Sequence, residues 1–94
     1  MSLNVTMKAL SDPTRRAILN YLKDGSMTAG DISAKFDMAA ATVSHHLATL
    51  KNADLIKEKK QKNFIYYSLN ASVLEEVMIW ISTLKGENND DKRG

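Results

Sequence analysis

The chain has 94 residues, 44% hydrophobic and 26% charged, which describes one compact globular domain and leaves no room for a second. It contains no cysteine, which excludes a disulfide scaffold, a thiolate metal site and a cysteine nucleophile together. The net charge of +2 hides an asymmetry: residues 1–70 carry ten Lys/Arg against six Asp/Glu, residues 71–94 carry three against five, and lysines crowd between 57 and 62.

No apolar run approaches the ~20 residues of a membrane span, and no secretory leader opens the sequence, so a cytoplasmic location is expected. A domain this small buries only about 60–65% of its unfolded surface, so self-association would strengthen it.

In chain order, Leu3, Met7 and Leu10 recur at helical spacing and predict a short amphipathic first helix. Asp12 then stands as an N-cap, with Pro13 at the first helical position, where its missing N–H costs nothing. Ile18 and Leu22, flanked by Ala17 and Tyr21, form the inward stripe of this second helix, and Asp24-Gly25 stops it. Thr28-Ala29-Gly30-Asp31 reads as a capping box opening a third helix of about two turns, with Ile32 and Phe36 one turn apart. After a tight turn at Asp37-Met38, a fourth helix runs from Ala39 to Asn52 with Val43, Leu47 and Leu50 inward. Two short helices joined by such a turn outline a helix-turn-helix.

Beyond Ala53-Asp54 the pattern changes to strands. Leu55–Lys59 and the aromatic, β-branched segment Phe64–Leu69 predict a β-hairpin whose tip, Lys60–Asn63, is polar and basic. The tip has no Asn-Gly or Asp-Gly, which leaves Asn63 to supply any positive φ. Asn70 caps a last helix, Ala71–Leu84, on which Val73, Leu74, Val77, Met78, Trp80, Ile81 and Leu84 cover a wide arc, with Ile79 almost opposite. That is more apolar surface than one face against a small core requires, so it asks for a partner. Gly86 ends the helix. Residues 1–85 are thus one domain, and the polar tail 86–94 is expected to be disordered. The fold class is mainly α with a β-hairpin (α+β).

On a helical wheel the fourth helix turns Ala41, Ser44, His45 and Ala48 outward, flanked by Thr42 and Thr49, with His46 at the edge of the buried stripe. This face is small and free of acid, so it can enter a major groove, where hydroxyls and imidazole meet base edges and alanine methyls meet thymine methyls. A solvated, alanine-rich face fits the same residues equally well. The following hairpin tips the balance, because Lys57, Lys59, Lys60 and Lys62 can reach backbone phosphates. Taken alone, those lysines would read as guards of an exposed sheet edge.

Three segments carry a family resemblance: Leu10-Ser11-Asp12-Pro13-Thr14-Arg15-Arg16-Ala17-Ile18-Leu19, Thr42-Val43-Ser44-His45-His46-Leu47, and Phe64-Ile65-Tyr66-Tyr67-Ser68-Leu69. In order and spacing, over about residues 5–84, the sequence resembles the ArsR/SmtB family of bacterial winged helix-turn-helix repressors, and within it most of all the SdpR-like autorepressors. The resemblance implies a homodimer paired through the first and last helices that represses transcription at a palindromic operator in double-stranded DNA. It implies a recognition helix using Ala40, Ala41, Thr42, Ser44, His45 and Ala48, and backbone contacts from Thr28 and Lys51. It also implies a wing of Lys59, Lys60, Lys62 and Asn63, and a dimer interface of Leu3, Met7, Val73, Val77, Trp80, Ile81 and Leu84.

Two departures from the family pattern bear on this. Where the recognition helix commonly opens with Ser-Gln-Pro or Ser-Lys-Pro, this chain has Ala39-Ala40-Ala41, losing a polar N-cap and a base-reading side chain. The glycine usual near the wing tip is replaced by Lys62. Readout should therefore lean on Thr42, Ser44, His45 and DNA shape.

Metal sensing, the rival function within the family, lacks its ligands: there is no cysteine, and the last helix offers only Glu75 and Glu76 with no histidine. His45 and His46 project about 100° apart and do not chelate one ion together. No cofactor is implied, and no nucleophile–base–acid pattern or phosphate loop suggests an enzyme. Arg15, beside Ile18 on its helix, reads as a structural ion-pairing or packing arginine rather than a DNA contact; Arg16 points outward, either solvated or near phosphate. Trp80 reads as interface core before it reads as an effector pocket. The alternatives left are a winged helix recruited for protein contacts alone, or a repressor released by a non-metal effector or protein partner.

Overall fold

The computed structural model describes residues 2–86; the tail expected to be disordered, from Glu87 onward, lies outside the described residues. The elements in order are α1 (Leu3–Leu10), α2 (Pro13–Leu22), β1 (Met27–Thr28), α3 (Ala29–Ser33), α4 (Ala40–Asn52), β2 (Ile56–Gln61), β3 (Phe64–Leu69) and α5 (Ala71–Leu84). The three strands form one antiparallel sheet in the order β1-β3-β2.

Local chemistry sets most boundaries. Ser2 caps α1, and the Asp12 carboxylate accepts from the Arg15 amide at 3.0 Å, with Pro13 in the first turn of α2. The Thr28 hydroxyl accepts from the Asp31 amide at 3.1 Å, which starts α3. α3 is only five residues long: bonds from Lys35 to Ile32 and from Phe36 to Ser33 tighten its end into three-residue turns. Phe36, expected one helical turn beyond Ile32, therefore sits past the helix, yet it still packs on the core and meets the Tyr21 ring edge-on at 5.7 Å. At the end of α4 the Leu55 amide donates to Leu50 and the Asp54 amide to Lys51, with Asp54 at φ 59°. This pair of bonds is a Schellman closure, and its apolar contact is made by Leu50 and Leu55, both fully buried.

The core is built by Ile18, Leu22, Ile32, Val43, Leu47, Leu50, Leu55, Ile56 and Val73, with Ala9 from α1. The second and fourth helices bury the stripes their spacing predicted, and of the wide apolar arc of the last helix only Val73 and Val77 are buried. In α1 the fully buried positions are Thr6 and Ala9, while Leu3, Met7 and Leu10 flank them half-buried. The reason is close approach: a small side chain lets the helix backbone lie near its neighbours, and Thr6 Oγ1 returns a bond to the Ser2 carbonyl at 2.9 Å.

Three expectations are corrected. Leu55 lies before β2 rather than opening it, and the strand continues to Gln61. Lys62, not Asn63, takes the positive φ of the two-residue turn, at 56°. Asn70 occupies the N-cap position of α5, but its side chain makes no cap bond; its amide instead donates to Leu55 at 3.0 Å, tying the end of β3 to the start of β2. The two-residue strand β1, paired Met27↔Tyr67 and Thr28↔Tyr66, is a further element, too short to leave a periodic signal.

Candidate nucleic-acid interface

The HTH face is presented by α4. Val43, Leu47 and Leu50 anchor it, so Ala40, Ala41, Thr42, Ser44, His45 and Ala48 are all exposed, a continuous surface without an acidic group. Ala39 makes no side-chain cap bond, and only its carbonyl, accepting from Thr42 and Val43, closes the first turn. Ser44 lines a cleft of about 400 Å³ against the small residues Ala29, Gly30, Ser33 and Ala34 of the preceding helix and turn. His45 lines a second, of about 310 Å³, beside Val5, Lys8 and Arg15. The two side chains thus look to opposite flanks of one exposed ridge.

A brace of polar bonds fixes that ridge to α1 and α2. Arg15 donates through Nε to the Ala9 carbonyl at 2.7 Å and through a terminal nitrogen to the Lys8 carbonyl at 3.2 Å, satisfying the carboxyl end of α1. Its other terminal nitrogen is 3.2 Å from His46 Nδ1 on α4. A guanidinium only donates, so in this contact His46 Nδ1 is the acceptor. Asp12 lies 4.0 Å from the same Nδ1. The Arg15 backbone amide on its carboxylate, with the nearby Arg15 charge, holds Asp12 below its ordinary value against a desolvation effect of opposite sign. Arg15 is structural, as its place on the wheel suggested. Arg16, read as pointing outward, is also engaged, donating to the Leu10 carbonyl at 2.7 Å.

Lys51 is bound within the protein. Its ammonium sits 2.8 Å from Glu58 on β2, whose hydrogen bond and charge raise its pKa above the ordinary value. The pair ties α4 to the hairpin, because Glu58 falls on the strand face that turns toward α4. Thr28 is half-buried at the start of α3, with its hydroxyl already accepting the cap bond.

The wing carries Lys57, Lys59, Lys60, Lys62 and Asn63, all exposed. It also exposes Phe64 by 58% and Ile65 by 40%, which the reading of charge alone passed over. Their signal was present as a β-rich run beginning at the tip itself.

The residues expected at a dimer interface divide into two sets. Val73 and Val77 are buried within the protomer and are not surface groups. Trp80, Ile81 and Leu84 stand exposed on α5, with Leu3 and Met7 half-buried on α1. Met78, Ile79 and Val5 are further exposed apolar residues.

Comparison with known proteins agrees with this geometry. Over 89 residues, 93% of this chain and 99% of the other, the sequence is 47% identical to the transcriptional repressor SdpR of Bacillus subtilis. It is 30% identical over 86 residues to the arsenical resistance operon repressor of Staphylococcus aureus, covering 92% of this chain and 83% of that one. A crystal structure of an ArsR family transcriptional regulator superposes with a TM-score of 0.84 at 28% identity, covering 95% and 98% of the two chains. The homodimeric winged helix-turn-helix domain of a Mycobacterium bovis protein shares the fold at 21% identity and a TM-score of 0.73, covering 98% and 85%. Residues 12–58, from the α2 cap into the wing, match the family profile described as bacterial regulatory protein, arsR family. With its fold a winged helix-turn-helix and its sequence alike over nearly its whole length, the chain belongs to the arsR family of bacterial regulatory proteins.

Proposed function

We propose that this protein is a homodimeric repressor that binds a palindromic operator in double-stranded DNA, its own promoter being the first candidate. Two copies pair through α1 and α5. Their α4 helices then enter successive major grooves about 34–36 Å apart on one side of the duplex. The observation that carries the reading is the exposed, acid-free face of α4 set beside a lysine-rich wing. The relatives named as repressors, and the homodimeric state named for the Mycobacterium bovis domain, support it.

Each group has a task in this arrangement. Ser44, His45 and Thr42 can hydrogen-bond base edges, and the alanines allow the helix to approach closely. Lys59, Lys60 and Lys62 neutralise phosphates, adding affinity without reading sequence. The Arg15–His46 bond and the Lys51–Glu58 pair hold the helix in register with α1 and the wing. We read the repressor as independent of metal, because the chain has no cysteine and among the described residues no three His, Asp or Glu converge.

The test is an anisotropy titration of a duplex from upstream of the protein's own gene against a scrambled duplex at two salt concentrations. The expected result is a preference of at least ~10³, with binding that weakens steeply as salt rises. His45→Ala should lose the preference and keep non-specific binding, while Lys60→Ala with Lys62→Ala should weaken both duplexes alike and lower the salt slope by about 2. Absence of binding to either duplex at low salt would overturn the reading in favour of a protein-contact module.

A further inference from the structure

Arg15 carries a positive charge that the fold does not pair with a carboxylate. Its guanidinium is half-buried and bonds to the Ala9 and Lys8 carbonyls and to His46 Nδ1. Among the described residues the ion pairs within 4.0 Å are His46–Asp12 and Lys51–Glu58, so neither Arg15 nor Lys8 has a carboxylate at that distance. Asp12 senses the Arg15 charge from farther away, and its carboxylate takes the Arg15 backbone amide. A guanidinium has five N–H groups, and its three bonds here leave two over.

The unpaired charge lines a cleft of about 310 Å³ between α1 and α4. Val5, Lys8 and Ala9 form the α1 wall, and His45, Thr49 and Asn52 the α4 wall. Lys8, His45 and Asn52 are exposed while Arg15 is half-buried, which sets the ammonium at the rim and the guanidinium at the floor. Thr49 gives its hydroxyl proton to the His45 carbonyl at 3.1 Å. Among the described residues no acidic side chain lines the cleft. Val5, 46% exposed, and Ala9 make part of it apolar. At about 100° per residue, Val5 and Lys8 lie well around α1 from Leu3 and Met7, so pairing through those two leaves the cleft open.

Size and chemistry select the occupant. Small-molecule pockets begin at about 300 Å³. Two cations with further N–H donors suit an oxyanion, and the guanidinium fork can hold both oxygens of a carboxylate. A duplex phosphate could meet Lys8 at the rim, but it rides too far out for a recessed Arg15 and gives the apolar wall nothing. A small free acid supplies both parts.

We infer that the α1–α4 cleft binds a small organic anion, its carboxylate on Arg15 and Lys8 and its hydrocarbon part against Val5 and Ala9, and that occupancy opposes DNA binding. The second half rests on the repressor reading above. His45 belongs both to the cleft and to the exposed ridge of α4, so a ligand that engages it withdraws it from the duplex. The coupling is reciprocal, and DNA should expel the ligand by the same factor.

Hexanoate is the probe, with acetate (the head without the chain) and hexanol (the chain without the charge) as controls. In an NMR titration of the full chain without DNA, hexanoate should shift the amides of Lys8, His45, Thr49 and Asn52 and saturate with a Kd of about 1 mM. Each control should bind there at least ~10-fold more weakly. Lys8→Ala, and Asn52→Asp, which adds an acid at the rim, should each weaken hexanoate roughly 10-fold. Among the described residues neither side chain is hydrogen-bonded or ion-paired, so thermal melting should match the wild type; should Asn52→Asp melt early, Lys8→Ala carries the comparison. At about ten times its Kd, hexanoate should weaken binding to a duplex selected from a random pool at least ~10-fold relative to equal acetate.

Shifts elsewhere only, equal binding of hexanol, or full affinity in both variants overturns the site. Hexanoate binding that leaves duplex affinity unchanged overturns the antagonism. Absence of hexanoate binding, with Lys8→Ala lowering the salt slope on DNA by about 1, would make Lys8 a phosphate contact and overturn the inference. Failure of the wild type to bind any duplex overturns the repressor reading and leaves the DNA-free titration to decide the site.

Discussion

Among the described residues two with full side chains hold positive φ, Asp54 at 59° and Lys62 at 56°. Their costs differ. An aspartate visits the left-handed region with some ease because its short carboxylate bonds locally, whereas a lysine pays the steric penalty of its Cβ, about 1–2 kcal/mol. Lys62 stands where the family resemblance places glycine, so this chain has exchanged backbone ease for a charge at the wing tip. Lys62→Gly should therefore be more stable than Lys62→Ala by about 1 kcal/mol in urea unfolding, although both remove the same charge. Equal midpoints would show that the turn carries no strain. Asp12 yields a pH prediction at the same scale. Its pKa is lowered in the folded state from the ordinary 3.8, so the stability it contributes is present above that value and lost as pH falls through the lowered one. Asp12→Asn should remove that part of the acid-induced destabilisation, leaving a flatter stability curve below about pH 4. An acid limb identical to that of the wild type would count against the Arg15 contacts.

At the scale of elements, the helices are joined by side chains that end one and position the next. Arg15 and Arg16 leave α2 to satisfy three carbonyls at the end of α1, and Arg15 continues to α4 through His46. Lys51 and Glu58 make the corresponding link from α4 to the wing. Arg15→Ala should destabilise the DNA-free protein by about 2 kcal/mol, since it strands the Ala9 carbonyl and the histidine, while the Lys8 carbonyl keeps its bonds from Ser11. Arg15→Lys should recover little of this, because one ammonium cannot span the three acceptors that the planar fork reaches. If Arg15→Ala melted like the wild type and lost only DNA affinity, the arginine would be a DNA ligand and not a brace.

On the scale of the whole molecule, the largest imbalance is the outer face of α5. Val73 and Val77 satisfy the core, yet Met78, Ile79, Trp80, Ile81 and Leu84 remain between 40% and 68% exposed. So much exposed apolar side chain on one helix points to an interaction site, and pairing through it would set the separation of the two α4 helices. Ile81→Glu, exposed at 45% in the protomer, should leave the helical circular dichroism intact, shift sedimentation to the monomer and abolish high-affinity operator binding. A charge tolerated within an unchanged dimer would move the interface elsewhere.

The sequence by itself determined much of this architecture. Apolar spacing in α2, α4 and α5, the caps at Asp12 and Thr28, and the aromatic run of β3 are local signals, and each requires nothing beyond its own neighbours in the chain. The exposed α4 face followed from the same arithmetic, since a buried Val43–Leu47–Leu50 stripe obliges Ser44, His45 and Ala48 to point away. What only the tertiary structure decided were relations between distant residues. The pairing of β1 with β3 depends on a strand arriving forty residues later. The partners of Arg16, His46 and Lys51 lie on other elements. Whether α5 residues face their own core or a partner turns on how far a small core extends, and the periodicity of one helix carries no information about that distance.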